Sequence, residues 1–335
     1  MQPATGPLVG EAATKLAMIQ APVRDRLLRV VAELRRVVVS EFGMVEEVNE
    51  HLLIMRGKLL RPTLVLLANE VGDRPSESAI TLGAVVELVH LATLVHDDAV
   101  DHSVLRRGLP TVNALWTHQV AIIMGDYLYS RAVTELAALG DLAAVQALAQ
   151  AANEMSVGEM RQLTSFDALG FSEQDYYELI EAKTASLMAA ACEMGALAGA
   201  PEFREPLRSF GLNLGMAFQI ADDLLDYTGS EAVTGKPSGH DLREHKVTLP
   251  LIEALKRASP AETDVIRAFF DRSEAEDSEI ARIVEIVFER GGLDFATARA
   301  EEFAERALEA LTSVAPGEAR TALEDSVRYA VRRSR

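Results

Sequence analysis

The chain has 335 residues, 49% of them hydrophobic, enough for a substantial core and compatible with one large domain or two. Lys and Arg number 33 against 51 Asp and Glu, a formal net charge of −18, which argues against nucleic acid as a partner and requires any anion site to be locally positive or metal-bridged. The single cysteine, Cys192, excludes an intramolecular disulfide and fits a reducing, cytoplasmic setting, and the first twenty residues lack the leader pattern of a signal peptide.

Between its proline and glycine punctuation the sequence shows helical spacing, with Ala, Leu, Glu and Arg dominant, and it predicts an all-α protein. Helices are expected over 10–20, 22–41, 44–55, 58–71, 76–101, 111–138, 141–165, 172–199, 203–228, 246–258, 261–272, 276–290, 293–313 and 317–332. Pro22, Pro62, Pro75, Pro110 and Pro206 mark starts, Ser172 with Asp175 forms an acidic capping box, and Gly140, Gly170 and Gly229 mark stops. The stretch 185–200 is apolar but interrupted by Glu193, too short to span a membrane. No repeat or linker divides the chain, so residues 1–335 are expected to form a single domain. The one long loop, 229–245, carries Lys236 and runs directly into Lys246.

Two acidic clusters stand out. HLATLVHDDAVDHSVLRR (90–107) carries Asp97, Asp98 and Asp101 after an apolar run, followed by Arg106 and Arg107. Four residues apart, Asp97 and Asp101 share a helix face, a costly pair of like charges unless a cation lies between them. Hard oxygen donors of this kind suit Mg²⁺, which shares its coordination with substrate phosphates, and arginines provide forked donors to the same phosphates. The second cluster, Asp222, Asp223 and Asp226 in FQIADDLLDY, repeats the DDxxD spacing. One such triplet is usually a solvated face; two, each ending an apolar run, point to the two walls of one divalent-metal site in a helical bundle.

Cations balance them locally. In GKLLRP, Lys58 and Arg61 are expected on one face beside a helix start at Gly57, an arrangement able to hold a diphosphate. Lys183, Thr184 and Gln219 are polar groups on otherwise apolar helices, although a buried amide such as Gln219 is as often merely structural. Glu87 and His90 match half of a di-iron motif, but no second ExxH exists; the separation of His96 and His102 and the lack of cysteine ligands argue against zinc.

With its motifs GKLLRP, DDAVD followed by RR, GDYLYSRA, the KT pair, FQIADDLLD and GKPSGHDLREHKVTLPL in order, the chain resembles the trans-isoprenyl diphosphate synthases (polyprenyl synthetases). Leu59 and His245 depart from the residues common in that family, Arg and Gly. The resemblance implies a single helical bundle of the isoprenoid synthase type with a central apolar tunnel. It implies that Asp97 and Asp101 bind Mg²⁺ ions clamping an allylic diphosphate, with Asp98 orienting them, and that Asp222 holds a further Mg²⁺ with Asp223 and Asp226. It places Arg106, Lys183, Thr184, Gln219, Lys236 and Lys246 on the allylic diphosphate, and Lys58, Arg61, His90 and Arg107 on isopentenyl diphosphate. Asp97, Asp98, Asp101, Asp222, Lys183 and Lys236 are the expected catalytic set.

The implied reaction ionises the allylic C–O bond, and the double bond of isopentenyl diphosphate then attacks the cation. Val89, Ala92 and Thr93, just before the first motif, are small where short-chain members carry a blocking aromatic, which implies a long product, hexaprenyl or longer. The alternatives are a geranylgeranyl or farnesyl synthase and a non-catalytic subunit of a two-component enzyme; both intact acidic motifs weigh against the latter and against a terpene cyclase. A homodimer is implied, and the insolubility of the product suggests transient contact with a membrane surface.

Overall fold

The computed structural model describes residues 7–55, 57–164, 169–228, 239–272 and 275–332. Along them run α1 (Pro7–Gln20), α2 (Arg24–Val38), α3 (Gly43–Ile54), α4 (Leu60–Glu70), α5 (Ser78–Val100), α6 (Val112–Leu115), α7 (His118–Ala138), α8 (Leu142–Thr164), α9 (Glu173–Ile180), α10 (Ser186–Gly199) and α11 (Arg204–Thr228). After them come α12 (His240–Arg243), α13 (Leu249–Arg257), α14 (Pro260–Phe270), α15 (Asp277–Glu289), α16 (Gly292–Ala310) and α17 (Glu318–Arg332). The fold is all-α, as expected. Among the described residues the only strands are β1 (Leu105–Arg106) and β2 (Leu109–Pro110), a small ladder that helical spacing did not reveal.

Two helices organise the core. α5 is apolar on nearly every side, from Ala79 to Ala99, and packs against α2, α4, α7 and α10. By length and composition α5 could cross a membrane, which the stretch 185–200 could not, yet most of it is buried inside the bundle. A helix that is hydrophobic all round belongs in the middle of a large core. α10, built around Ala189, Ala190 and Ala191, lies between α4, α8 and α11. α11 buries Leu207, Phe210, Leu214, Ala217, Ile220 and Leu224 at helical spacing against α10 and α16, and its opposite face carries the exposed Asp222.

Several boundaries differ from the expectation, each for a local reason. Leu59 is left-handed (φ 55), so α4 begins at Leu60 and Lys58 lies ahead of the helix instead of sharing a face with Arg61. Pro110 belongs to β2, and the predicted 111–138 helix breaks at Trp116 (φ −117, ψ −105) before Thr117 caps α7 through its side chain. The predicted 172–199 helix holds a π-helical turn, Glu181–Ala185, and Thr248 shifts the start of α13 to Leu249. The Ser172–Asp175 capping box is present as expected.

Candidate active site

The first acidic motif occupies the C-terminal end of α5, where its helical register separates the three carboxylates. Asp98 points inward, 4% exposed, and is gripped by Arg106, whose Nε lies 2.8 and 2.9 Å from its two oxygens. The hairpin makes this possible. β1 pairs Leu105 with Pro110 and Arg106 with Leu109, across a turn in which Arg107 (φ 53) and Gly108 (φ 76) are both left-handed. Such tight turns favour glycine or asparagine, so a non-glycine residue there stores of order 1 kcal/mol of strain. Arg107 is held by its own hydrogen bond to the Met55 carbonyl, 2.7 Å, while its guanidinium covers Gly57 where any Cβ would collide.

Half-buried Asp97 and exposed Asp101 are left outside this grip. Among the described residues neither carboxylate has a hydrogen-bond or ion-pair partner within contact distance. Burial, reinforced by Glu159 and Asp101 against Lys183 and Arg106, pushes the Asp97 carboxyl up to about 6.

Asp101 opens onto a cavity of about 500 Å³ whose far wall comes from α9, the π-turn and α11. The π-turn carries Lys183 and Thr184, and inserting a residue into a helix in this way re-aims side chains at a functional site. Two glycines let neighbouring helices press on it. A Cβ on Gly158 of α8 would meet the Ala182 Cβ at 2.7 Å, and one on Gly215 of α11 would meet the Ala185 Cα at 2.5 Å. Lys183 bonds Gln162 at 2.8 Å and pairs with Glu159. The Thr184 hydroxyl donates to Gln219 at 2.8 Å, and the Gln219 amide donates to Asp223 at 2.8 Å.

The second acidic motif divides as the first does. Asp222 is exposed, whereas Asp223 is buried and accepts a 2.6 Å hydrogen bond from the Tyr176 hydroxyl. Burial and the charges of Asp241 and Asp222 push the Asp223 carboxyl well above the usual carboxylate range, against the pull of Tyr176 and Gln219. Asp226, expected among the metal ligands, has both oxygens on backbone amides, those of His240 (3.1 Å) and Asp241 (3.0 Å). It thereby anchors the segment leading to Lys246. Burial, then Asp226, pushes Asp241 up to about 6. Burial works against the Lys246 ammonium, but Glu244, 2.6 Å away, with Asp241 and Asp101 holds it above the usual lysine range. Lys236 lies outside the described residues.

A second polar group sits behind the first motif. Burial pushes the Arg61 guanidinium down to about 10, with Glu87 and Arg107 acting in opposite senses, and its buried Nε has no partner among the described residues. Burial and the charges of Arg61, Arg107 and Arg106 push the His90 imidazole well below its usual range, so it is neutral at pH 7. Lys58 turns away toward α17, where its Nζ is 3.2 Å from the Tyr329 hydroxyl. On the same helix Val89 and Ala92 are buried, 1% and 3% exposed, and the half-buried Thr93 donates to the His90 carbonyl at 2.9 Å.

Comparison with known proteins decides what this arrangement belongs to. The family described as polyprenyl synthetase matches residues 43–287. The chain belongs to the polyprenyl synthetase family. An all-trans-nonaprenyl-diphosphate synthase (geranyl-diphosphate specific) of Rhodobacter capsulatus is 38% identical to it over 94% of this chain and 97% of that protein. Heptaprenyl diphosphate synthase component 2 of Geobacillus stearothermophilus is 38% identical over 94% and 98%. The crystal structure of a polyprenyl synthase from Caulobacter crescentus CB15, complexed with calcium and isoprenyl diphosphate, superposes with a TM-score of 0.89 at 36% identity, covering 94% of this chain and 97% of that one. This polyprenyl synthetase is accordingly a prenyltransferase of the all-α isoprenoid synthase fold.

Its donor set fits a divalent cation bound together with substrate. Asp97 and Asp101 offer only oxygen, the donor type that Mg²⁺ and Ca²⁺ take, and a bound cation would offset the burial that disfavours the Asp97 carboxylate. Among the described residues no three His, Cys, Asp or Glu side chains form a ready-made cage, so phosphate oxygens would complete the coordination. The polar residues without a role in the motifs are Glu159 and Gln162 on α8, Tyr176 on α9, Asp241 on α12 and Glu244 just after it. Asp241 and Glu244 lie inside the HDLREHK segment, whereas Gln162 and Tyr176 reach the cavity, and Glu159 reaches Lys183 at its edge, only through helix packing.

Proposed function

We propose that this polyprenyl synthetase condenses isopentenyl diphosphate with an allylic diphosphate, in trans and head to tail, to give a polyprenyl diphosphate of six or more isoprene units. One observation carries the reading: Asp101 of the first motif and Asp223 of the second line one cavity together with Lys183 and Lys246, while the half-buried Arg61 and His90 and the exposed Arg107 form a separate cluster behind the first motif. Two anion sites of this kind suit two diphosphate substrates. The family relationship supports prenyl transfer, and the nonaprenyl and heptaprenyl relatives support the long product.

In this reading Asp97, Asp101 and Asp222 would hold Mg²⁺ ions, which when bound neutralise the negative charge that develops on the leaving diphosphate. Lys183, Lys246 and Lys236 bind the same diphosphate and draw its charge away from the reacting carbon. Asp98 and Asp226 act from behind, Asp98 by fixing Arg106 and Asp226 by fixing the segment before Lys246. Asp223 orients Gln219, and Gln219 orients Thr184. Arg61, Arg107 and neutral His90, with Lys58 swung from Tyr329, hold isopentenyl diphosphate so that its double bond faces the allylic carbon. The released diphosphate takes the proton that leaves the new chain. Val89, Ala92 and Thr93 line the path of growth.

We further propose that residues 1–335 form one domain, that the protein acts as a cytoplasmic homodimer, and that it touches a membrane surface only while releasing product. A second reading, in which another polypeptide is needed, is supported by the relative named component 2. Incubating the purified chain alone with Mg²⁺, isopentenyl diphosphate and each allylic primer, then weighing the products by mass spectrometry, separates the readings. Products of thirty carbons or more support the proposal; products stopping at fifteen or twenty carbons favour a short-chain enzyme; no elongation favours the two-polypeptide reading.

A further inference from the structure

Tyr176 belongs to no recognised motif, yet it ends a chain of hydrogen bonds that runs along one wall of the cavity. Its side chain is 1% exposed, and its hydroxyl donates to Oδ2 of Asp223 at 2.6 Å. The other Asp223 oxygen, Oδ1, accepts from Nε2 of Gln219 at 2.8 Å, and Oε1 of Gln219 accepts from the Thr184 hydroxyl at 2.8 Å. Tyr176, Thr184, Gln219 and Asp223 all line the cavity.

The order of these bonds matters because an amide side chain has two different ends. With the nitrogen of Gln219 turned to Asp223, its oxygen must face Thr184, and the threonine proton is directed to that oxygen. The whole arrangement depends on the rotamer of Asp223. Gln219 is four residues from Asp223 on the same helix and can hold one carboxylate oxygen, but it cannot by itself stop rotation about that contact. Tyr176 supplies the second fixed point from another helix. α9 also runs straight into the π-turn that bears Thr184, so the ring anchors both ends of the chain.

We propose that Tyr176 is a positioning residue for prenyl transfer, clamping Asp223 so that Gln219 and Thr184 are held in one orientation at the wall of the allylic subsite. The inference rests on the proposed function for the identity of that subsite. Buried tyrosines often do no more than satisfy a neighbouring acid, so the test must separate positioning from packing.

Tyr176→Phe keeps the ring and removes only the hydroxyl. The expected result is a fall of ten-fold or more in kcat/KM for the allylic diphosphate, with the KM for isopentenyl diphosphate changed less than two-fold. Because the effect passes through Gln219, the Tyr176→Phe/Gln219→Ala double variant should be no slower than Gln219→Ala alone. Kinetics equal to wild type with only a lowered Tm would overturn the proposal, as would penalties that multiply in the double variant. A crystal structure of Tyr176→Phe provides an arm independent of turnover. Asp223, Gln219 and Thr184 should adopt new rotamers; unchanged side chains there would also overturn it. A wild-type protein that elongates no primer would sink the proposed function, while this structural arm still decides whether Tyr176 holds the chain.

Discussion

Arg106 and Asp98 form a forked ion pair, Nε at 2.8 and 2.9 Å from the two carboxylate oxygens, with Asp98 almost wholly buried. The pair explains how three clustered aspartates coexist at the end of α5: one is neutralised internally, while half-buried Asp97 and exposed Asp101 stay outside that pair. Arg106, expected on the allylic diphosphate, therefore has a structural task as well. Replacing it by Leu removes the forked cation from a buried carboxylate, a change that costs about 3–5 kcal/mol where both partners are buried and less here, where Arg106 is partly exposed. Arg106→Leu should melt earlier than wild type and lose activity, and Arg106→Lys should recover only part of both, since one ammonium cannot replace the two nitrogens, Nε and Nη2, that contact Asp98. Thermal denaturation of the three proteins checks this; equal melting temperatures would refute it.

Asp97 makes stability depend on pH in a direction that can be worked out. Burial first, then Glu159 and Asp101, raises its carboxyl from 3.8 to about 6 in the folded state, so the ionised form is the unfavourable one. Its contribution to stability is fully present below the unfolded value near 4 and is lost as pH rises through 6. Metal-free Asp97→Asn should therefore match wild type near pH 4 and gain on it between pH 4 and 6, by at most about 3 kcal/mol for a shift of roughly two units. Adding Mg²⁺ with inorganic diphosphate should reverse the order above pH 6, because only wild type keeps the carboxylate. A pH-independent difference between the two metal-free proteins would contradict this account.

Periodicity and spacing made the helices and both acidic motifs legible, because a 3.6-residue apolar repeat and a duplicated DDxxD are local properties of the sequence. Other features were not local. Tyr176 lies 47 residues from Asp223 and meets it only because α9 packs beside α11. The left-handed Leu59 and Arg107 carry no glycine to announce them, so the detachment of Lys58 from α4 and the hairpin after α5 stayed hidden. The resemblance implies that Asp226 assists Asp222 in holding a metal, and no local pattern shows that its two oxygens take the amides of His240 and Asp241.

The π-turn should be the least forgiving backbone in the site. A methyl group on Gly215 would lie 2.5 Å from the Ala185 Cα, a backbone atom that cannot swing aside, so Gly215→Ala must push α11 and the turn apart. Overpacking of this kind costs about 1–3 kcal/mol. The displacement also moves Lys183 and Thr184, so the KM for the allylic substrate should rise more than that for isopentenyl diphosphate. On Gly158 the first clash is with the Ala182 Cβ at 2.7 Å, and Gly158→Ala paired with Ala182→Gly should restore the room. Steady-state kinetics with each substrate varied, beside denaturation midpoints, tests both parts. Equal rises in the two KM values would mean that the turn does not serve one subsite selectively.

Product length offers the sharpest test of the residues ahead of the first motif. Ala92 is five residues before Asp97 on α5 and, like Val89, is buried. If these small side chains line the path of the growing prenyl chain, Ala92→Phe places a ring across that path about one turn from the reacting end. Elongation should then stop several isoprene units early, with the first condensation little affected, since Asp97, Asp101 and Lys183 are untouched. If Ala92 instead packs against a neighbouring helix, the added ring strains the core, lowering the melting temperature by the few degrees that about 1–3 kcal/mol implies, and the product distribution stays where it was. Mass analysis of the products, read together with Tm, separates the outcomes. Shortened products with a near-normal Tm assign the path to this face of α5, and unchanged products with a lowered Tm assign its floor elsewhere.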